Sequence, residues 1–331
     1  MILVGDIGGT HVRLALFEST KSRQFSYPIE YYKSKDIADF STFLGLFLEK
    51  KKLRLEAACF GLPGPIVDGK VQLTNLNWIV EEETLRQICG IRNAFLINDL
   101  QAAAYGLTVL EEKDVLVIQG GKADPKGCQA LIAPGTGLGE AGLRWENGRF
   151  VPFPSEGAHV DFAPRNELEI GLFRYLQQLY GHVSYERVLS GPGLFNIYRY
   201  LKASSTQLDE QELDSQIEKS EDPPQLITLH ALQKDSSLCV KSLDLFISLL
   251  GAEAGNLALK FLASAGVYIG GGIAPHIVEK FKEPLFIESF CDKGRLSFFL
   301  KTIPVKVVLT PYLGLYGALH YIEENMGGAK R

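Results

Sequence analysis

Two stretches of the chain share one plan. LVGDIGGTHVRLALFE (Leu3 to Glu18) and LIAPGTGLGEAGLRWE (Leu131 to Glu146) each begin as an apolar strand, turn through glycine and threonine, and leave on a second strand ending in glutamate. The simplest meaning of such an internal duplication is two domains of related topology, each presenting one glycine turn. A chain of 331 residues, 46% of them hydrophobic, is long enough to bury a sizeable core and to divide it between two domains.

The intervening pattern predicts an α/β protein. EAACFGLPGPIVDGKVQL reads as two strands around a Pro/Gly loop, and AFLINDLQAAAYGL as a strand ending at Asn98-Asp99 and running into a helix. The most apolar stretch, Leu243 to Gly272, is interrupted by Asp244, Glu253 and Lys260, so it reads as a long core helix and a strand rather than a membrane span. Ala203 to Gln225 is polar and acidic and reads as a surface excursion before the helical LITLHALQ. The closing PVKVVLTPYLGLYGALHYIEENM reads as a strand and a helix that return to pack on the first domain.

Charge narrows the partners. The net charge is −5, and lysine and arginine are scattered, which argues against a nucleic-acid surface and for small-molecule partners. Cys59, Cys89, Cys128, Cys239 and Cys291 lie far apart, with no CxxC and no Cys/His pair at zinc spacing. Reduced thiols, together with an N-terminus that lacks a basic signal-peptide region, predict a soluble, cytoplasmic protein with no membrane partner.

The glycine turns point to phosphate. No turn is followed by Lys-Ser or Lys-Thr, which argues against a Walker A loop. A literal GxGxxG at Gly137 to Gly142 leads into a strand rather than a helix, which argues against a dinucleotide site. What remains is a pair of glycine hairpins facing each other across a cleft, with Asp6 on the first. A carboxylate repels polyphosphate unless a hard cation lies between them, so Asp6 predicts Mg²⁺ held through water while the amides around Gly8, Gly9 and Thr10 take phosphate oxygens. The plainer alternative is that Asp6 caps a hairpin. Gly135, Thr136 and Gly137 form the second turn. A third turn, Gly270 to Gly272 before Pro275, either admits a flat ring such as adenine against a helix start or is simply tight.

An acceptor side is also legible. Asp99 should emerge at the C-terminal end of a buried strand, where open α/β sheets collect ligands, and can take the proton of an attacking hydroxyl. Capping the following helix would use it equally well. Glu156 and His159 in PSEGAHVDFAPR, and Glu186 in HVSYERVLSGPGL, suit the vicinal hydroxyls of a sugar. A core histidine and a helix-surface glutamate are the plainer readings.

In order along nearly the whole chain, GDIGGTHVRLAL, INDLQA, GTGLG, SEGAHVDFAP, ERVLSGPG and GGIAP resemble the bacterial glucokinase family. The resemblance implies a two-domain actin-like ATPase (ribonuclease H-like) fold with an interdomain cleft. The small domain would comprise residues 1–108 plus 302–331 and the large domain 109–301. It further implies ATP-dependent phosphorylation of D-glucose at the 6-hydroxyl, the entry step of glycolysis. Asp99 would be the base, with Asn98, Asp99, Glu156, His159 and Glu186 on the sugar, and glucose binding would drive closure over MgATP. The turns Asp6 to Thr10 and Gly135 to Gly139 would hold the phosphates, with Gly271 and Gly272 near the adenosine. Family members are commonly homodimers.

Two residues depart from the family pattern: His11 where asparagine often follows GGT, and Pro134 before the second turn. The zinc-cysteine motif of the related repressor and sugar-kinase group is missing, which places the resemblance with the zinc-free branch. Three other readings remain open: a kinase for another hexose or another phosphoryl donor, a sugar-responsive regulator, and a non-sugar actin-like ATPase. The regulator would need a helix-turn-helix, for which the first hairpin leaves no room before it.

Overall fold

The computed structural model describes residues 1–73, 76–204 and 211–327, with all their side chains except those of Pro154 and Gly327. They form two compact units. One comprises Met1–Glu112, Phe150–Pro154 and the described chain from Tyr312 onward; the other comprises Lys113–Arg149 and Ser155–Pro311.

The first unit is built on strands β1 (Ile2–Ile7), β2 (His11–Phe17), β3 (Glu30–Lys33), β4 (Ala57–Leu62), β5 (Lys70–Leu73), β6 (Trp78–Glu81) and β7 (Asn93–Asn98). Five of them make a sheet in the order β3-β2-β1-β4-β7, and β5 and β6 pair separately. β1, β2 and β3 are antiparallel neighbours, whereas β4 and β7 add in parallel. Alternation along β1 divides its side chains between two cores. Leu3 and Ile7 pack with Phe40, Leu44 and Phe60 on one face, while Ile2 and Val4 pack with Leu315, Leu319 and Ile322 on the other. A sheet covered on both faces explains why β1 and β4 read as continuous apolar runs.

Two glycines bring the helix Leu313–Gly327 onto the helix Asp99–Leu107. A Cβ on Gly317 would lie 1.6 Å from the Ala102 carbonyl oxygen, and one on Gly106 would lie 2.3 Å from that of Leu313. The backbones can approach this closely only without those side chains. Their contact fixes the helix that begins at Asp99.

The second unit carries β8 (Val115–Gln119), β9 (Gln129–Pro134), β10 (Leu138–Glu146), β11 (Arg149–Ser155), β12 (Gly266–Ile269) and β13 (Val305–Val308). Its sheet runs β11-β10-β9-β12-β13-β8. β9 and β10 form an antiparallel hairpin, β12 and β13 add in parallel, and β8 closes the far edge antiparallel to β13. Apart from β8, the strand order repeats that of the first unit, with β9 and β10 standing where β1 and β2 stand. The duplicated sequence is a duplicated topology.

The apolar stretch from Leu243 resolves as the end of a helix, Ser237–Phe261, followed by β12. Ser236 caps that helix by accepting the Cys239 amide at 3.1 Å, and Leu262 ends it in the left-handed conformation. Among the described residues no helix is long and apolar enough to cross a membrane. The polar excursion contains the helices Gln211–Lys219 and Pro223–Gln233; its residues 205–210 lie outside the described chain.

The domain boundary differs from the sequence expectation. PVKVVL does not return to the first unit, and the division falls after Pro311 rather than at 302. β13 inserts between β12 and β8, so its backbone groups are satisfied on both sides within the second sheet. Only the chain from Tyr312, with its helix from Leu313, belongs to the first unit. The other boundary shifts from 109 to Lys113, because the Asp114 carbonyl already accepts the Leu309 amide just beyond β13.

Candidate active site

The first glycine turn joins β1 to β2. Asp6 lies within β1 opposite Arg13, and its Oδ2 is 3.3 Å from the Arg13 guanidinium. It is therefore not a turn cap, and the plainer alternative for Asp6 fails. Burial raises its pKa, and Arg13 opposes part of that shift. The turn itself is held by Ser34, fully buried, whose hydroxyl donates to the Gly8 carbonyl at 2.7 Å and whose amide donates to the Thr10 carbonyl at 2.9 Å. One expected phosphate donor is lost: the Gly8 amide closes the hairpin on the His11 carbonyl at 2.8 Å. Gly9 and Thr10 are exposed and remain as candidates.

Mg²⁺ commonly takes one or two carboxylates and completes its shell with water and substrate phosphates. Asp6 fits that demand. Its side chain keeps 28% exposure, and a Cβ on Gly314 would meet its carboxyl carbon at 3.5 Å, so the glycine leaves room beside it. Among the described residues no cluster of three or more His, Cys, Asp or Glu is placed to hold a metal, so Asp6 would serve as a lone carboxylate.

At the end of β7, Asn98 and Asp99 divide two tasks. Asn98 is the N-cap: its Oδ1 accepts the Gln101 amide at 3.1 Å and its Nδ2 donates to the Gly64 carbonyl at 3.2 Å. Asp99 is the first helical residue, half-buried, with Oδ1 accepting the Leu100 amide at 2.8 Å. The N-cap position thus falls to Asn98, while Asp99 also satisfies one of the helix's first amides through Oδ1. The same bonds restrict Asn98, whose amide oxygen is committed within the fold.

In the second unit three segments meet at Gly135. Its amide closes the turn on the Gly137 carbonyl at 2.8 Å, and its carbonyl accepts the Gly191 amide at 2.8 Å, from the start of the helix Gly191–Ser204. Like Gly8, Gly135 therefore spends its amide on the hairpin, leaving Thr136 and Gly137 as the outward part of the turn. Glu186 Oε2 accepts the Leu138 amide at 3.0 Å, and a Cβ on Gly137 would lie 2.6 Å from the same oxygen. The glutamate is thus locked to the second turn, which is more than a surface charge on a helix would be.

Glu156 precedes the 3₁₀ turn Gly157–His159, and His159 ends it. Their side chains are 77% and 58% exposed, with His159 Nε2 3.9 Å from Glu156 Oε2. The histidine is not a core residue. The third glycine turn adjoins the second: the Ile273 amide donates to the Pro134 carbonyl at 3.2 Å, and a Cβ on Gly135 would lie 3.9 Å from the Gly272 nitrogen. Gly271, with φ of 78°, packs so closely that a Cβ would lie 2.3 Å from the Pro134 oxygen, whereas Gly272 faces open space. The chain then enters a 3₁₀ turn, Ala274–Ile277, with Pro275 in its first turn, which runs on into the short α-helix Val278–Phe281.

The glucokinase family model matches residues 3–325. The chain belongs to the glucokinase family. It is 41% identical to a glucokinase of Nostoc punctiforme, over 96% of this chain and 97% of that one. A glucokinase of Yersinia enterocolitica is 37% identical over 98% and 97%. Among solved structures, the glucokinase from an Antarctic psychrotroph superposes with a TM-score of 0.80 at 31% identity, covering 98% of each chain. The two related units are those of the actin-like ATPase fold that glucokinases share.

Sequence reading assigned no role to several residues that lie beside the candidate site residues within each unit. Ser34 and Gly191 act on turn backbone and Arg13 across a strand pair, roles that the strings GDIGGTHVRLAL and ERVLSGPG, which contain Arg13 and Gly191, do not reveal. Glu140, within β10, was hidden inside the GxGxxG string.

Proposed function

We propose that the chain catalyses ATP-dependent phosphorylation of D-glucose at its 6-hydroxyl, the activity its family name denotes. The observation that carries this reading is the bond from the Leu138 amide to Glu186. It ties the carboxylate that this reading assigns to the sugar to the glycine turn that it assigns to phosphate.

In this reading Asn98, Asp99, Glu156, His159 and Glu186 bind glucose, Asn98 through the amide hydrogen it does not spend on Gly64. Gly9, Thr10, Thr136 and Gly137 take phosphate oxygens, and Gly272 lies beside the adenosine. The glucose O6 attacks the γ-phosphorus, the bond from that phosphorus to the bridging oxygen breaks, ADP departs, and Asp99 accepts the hydroxyl proton. In a loose transition state little proton transfer is needed early, so Asp99 acts first by orienting the hydroxyl. Mg²⁺, held through water by Asp6, would neutralise charge on the β- and γ-phosphates. Five free cysteines suit a reducing cytoplasm, and a homodimer completes the proposal.

The test is a panel of hexoses with MgATP or polyphosphate, recording ADP and sugar 6-phosphate together. Matched production with glucose and ATP supports the reading. ADP release that no sugar changes, or a stronger response to another hexose or donor, contradicts it. Light scattering after gel filtration tests the dimer.

A further inference from the structure

The floor beneath the Gly157–His159 turn is a carboxyl group with no assigned task. Glu140 is 1% exposed, and both of its carboxyl oxygens are buried without a hydrogen-bond partner among the described residues. Gly157 rests directly on it, since a Cβ there would lie 2.2 Å from Glu140 Oε2 and 3.0 Å from Ser155 Oγ. The bonds within the turn tie it to itself and its approach: Gly157 donates its amide to Ser155 Oγ at 3.0 Å, His159 to the Glu156 carbonyl at 3.0 Å and Val160 to the Gly157 carbonyl at 3.2 Å. From below it rests on the Glu140 carboxyl, while Ala158 anchors it in the core and the Val160 carbonyl accepts the Tyr185 amide at 3.2 Å.

We propose that Glu140 is a positioning residue of the sugar site, its carboxyl being the seat that sets where Gly157, and with it Glu156 and His159, stand. This rests on the reading that Glu156 and His159 bind the sugar.

The charges acting on Glu140 come from the helix Ser237–Phe261. Glu253, fully buried, repels it, and Lys260 attracts it, but Lys260 already donates to Glu253 Oε1 at 3.0 Å. Asn256 donates to the other Glu253 oxygen at 2.7 Å and to the Tyr185 hydroxyl at 3.0 Å, so Tyr185 faces the same pair. Ser155 and Gly157 on the turn side are uncharged, and the side chains of Glu156 and His159 are exposed. The Lys260 ammonium thus acts on both buried carboxyls, and Lys293 also acts on Glu253. Burial first, then Glu253, push Glu140 up to about 7, with Lys260 opposing.

Two buried oxygens with no protein hydrogen-bond partner among the described residues suit the neutral acid and not the carboxylate. Ionisation above neutral pH demands solvation, which lifts Gly157 off its seat and moves Glu156 and His159 away from the sugar. The consequence is a glucose KM that rises with pH while kcat changes less.

The experiment compares glucose KM and kcat of wild type, Glu140→Gln and Gly157→Ala at pH values on either side of neutrality, with His159→Ala at one pH. The neutral, isosteric glutamine should hold the low-pH KM at all pH, against a several-fold rise with a midpoint near 7 in wild type. The alanine at 157, which cannot sit on the carboxyl, should raise KM throughout and remove its pH dependence. A Glu140→Gln profile parallel to wild type, or a Gly157→Ala profile that keeps the wild-type inflection, overturns the proposal. An unchanged glucose KM in His159→Ala overturns the sugar-site reading itself.

Discussion

Glu186 accepts the Leu138 amide at 3.0 Å, so a residue proposed to bind sugar also shapes the turn proposed to bind phosphate. Replacing Glu186 by alanine should therefore affect both substrates. Hydrogen bonds to a charged group are worth about 1.5–3 kcal/mol, so glucose KM should rise about 10- to 100-fold. ATP KM should rise with it, because the turn loses its acceptor. His159→Ala should raise glucose KM alone. Steady-state kinetics with both substrates varied would separate the two.

Asn98 is expected to matter for stability. Asn98→Ala removes the acceptor for the Gln101 amide and the donor to Gly64. A lost cap costs about 1 kcal/mol, and the lost side-chain bond adds about as much again. Asn98→Asp keeps the cap and should recover roughly half of the loss in urea denaturation.

The third glycine turn separates packing from binding. Gly271→Ala places a Cβ against the Pro134 oxygen at a positive φ, and should destabilise the fold by about 2 kcal/mol or more. Gly272→Ala meets nothing in the fold and should leave the melting temperature unchanged. If adenosine lies there, the same change raises ATP KM without altering glucose KM.

Glu140 should also give stability a pH dependence. Its folded pKa of about 7 lies above the ordinary 4.5. Its contribution is therefore fully present below about pH 4.5 and is lost as pH rises through about 7, a span of about 3 kcal/mol if burial persists on ionisation. Unfolding free energies measured from acid to mildly alkaline pH should fall in wild type, and this part of the slope should be missing in Glu140→Gln.

Much of the fold was legible because the hairpin was written twice, and β1-β2 and β9-β10 do occupy equivalent places. The C-terminal boundary was not, because an apolar strand such as Val305–Val308 can extend either sheet and only hydrogen-bond partners decide which. Asp99 could be placed at a strand end from the run Phe95-Leu96-Ile97, but the division of capping from chemistry depends on Asn98 geometry. Glu140 left no sign because both faces of β10 are buried around it, and alternation cannot flag an inward acid in a strand without a solvent face. His159 and Glu186 sit on short 3₁₀ turns whose direction no periodicity reveals.

Asp99 as the base is most directly tested by kcat for glucose 6-phosphate formation in Asp99→Asn, whose side-chain oxygen can still accept the Leu100 amide. Turnover should fall about 10²- to 10⁴-fold, with helix content by circular dichroism unchanged. An Asp99→Asn protein that turns over at the wild-type rate would contradict the account.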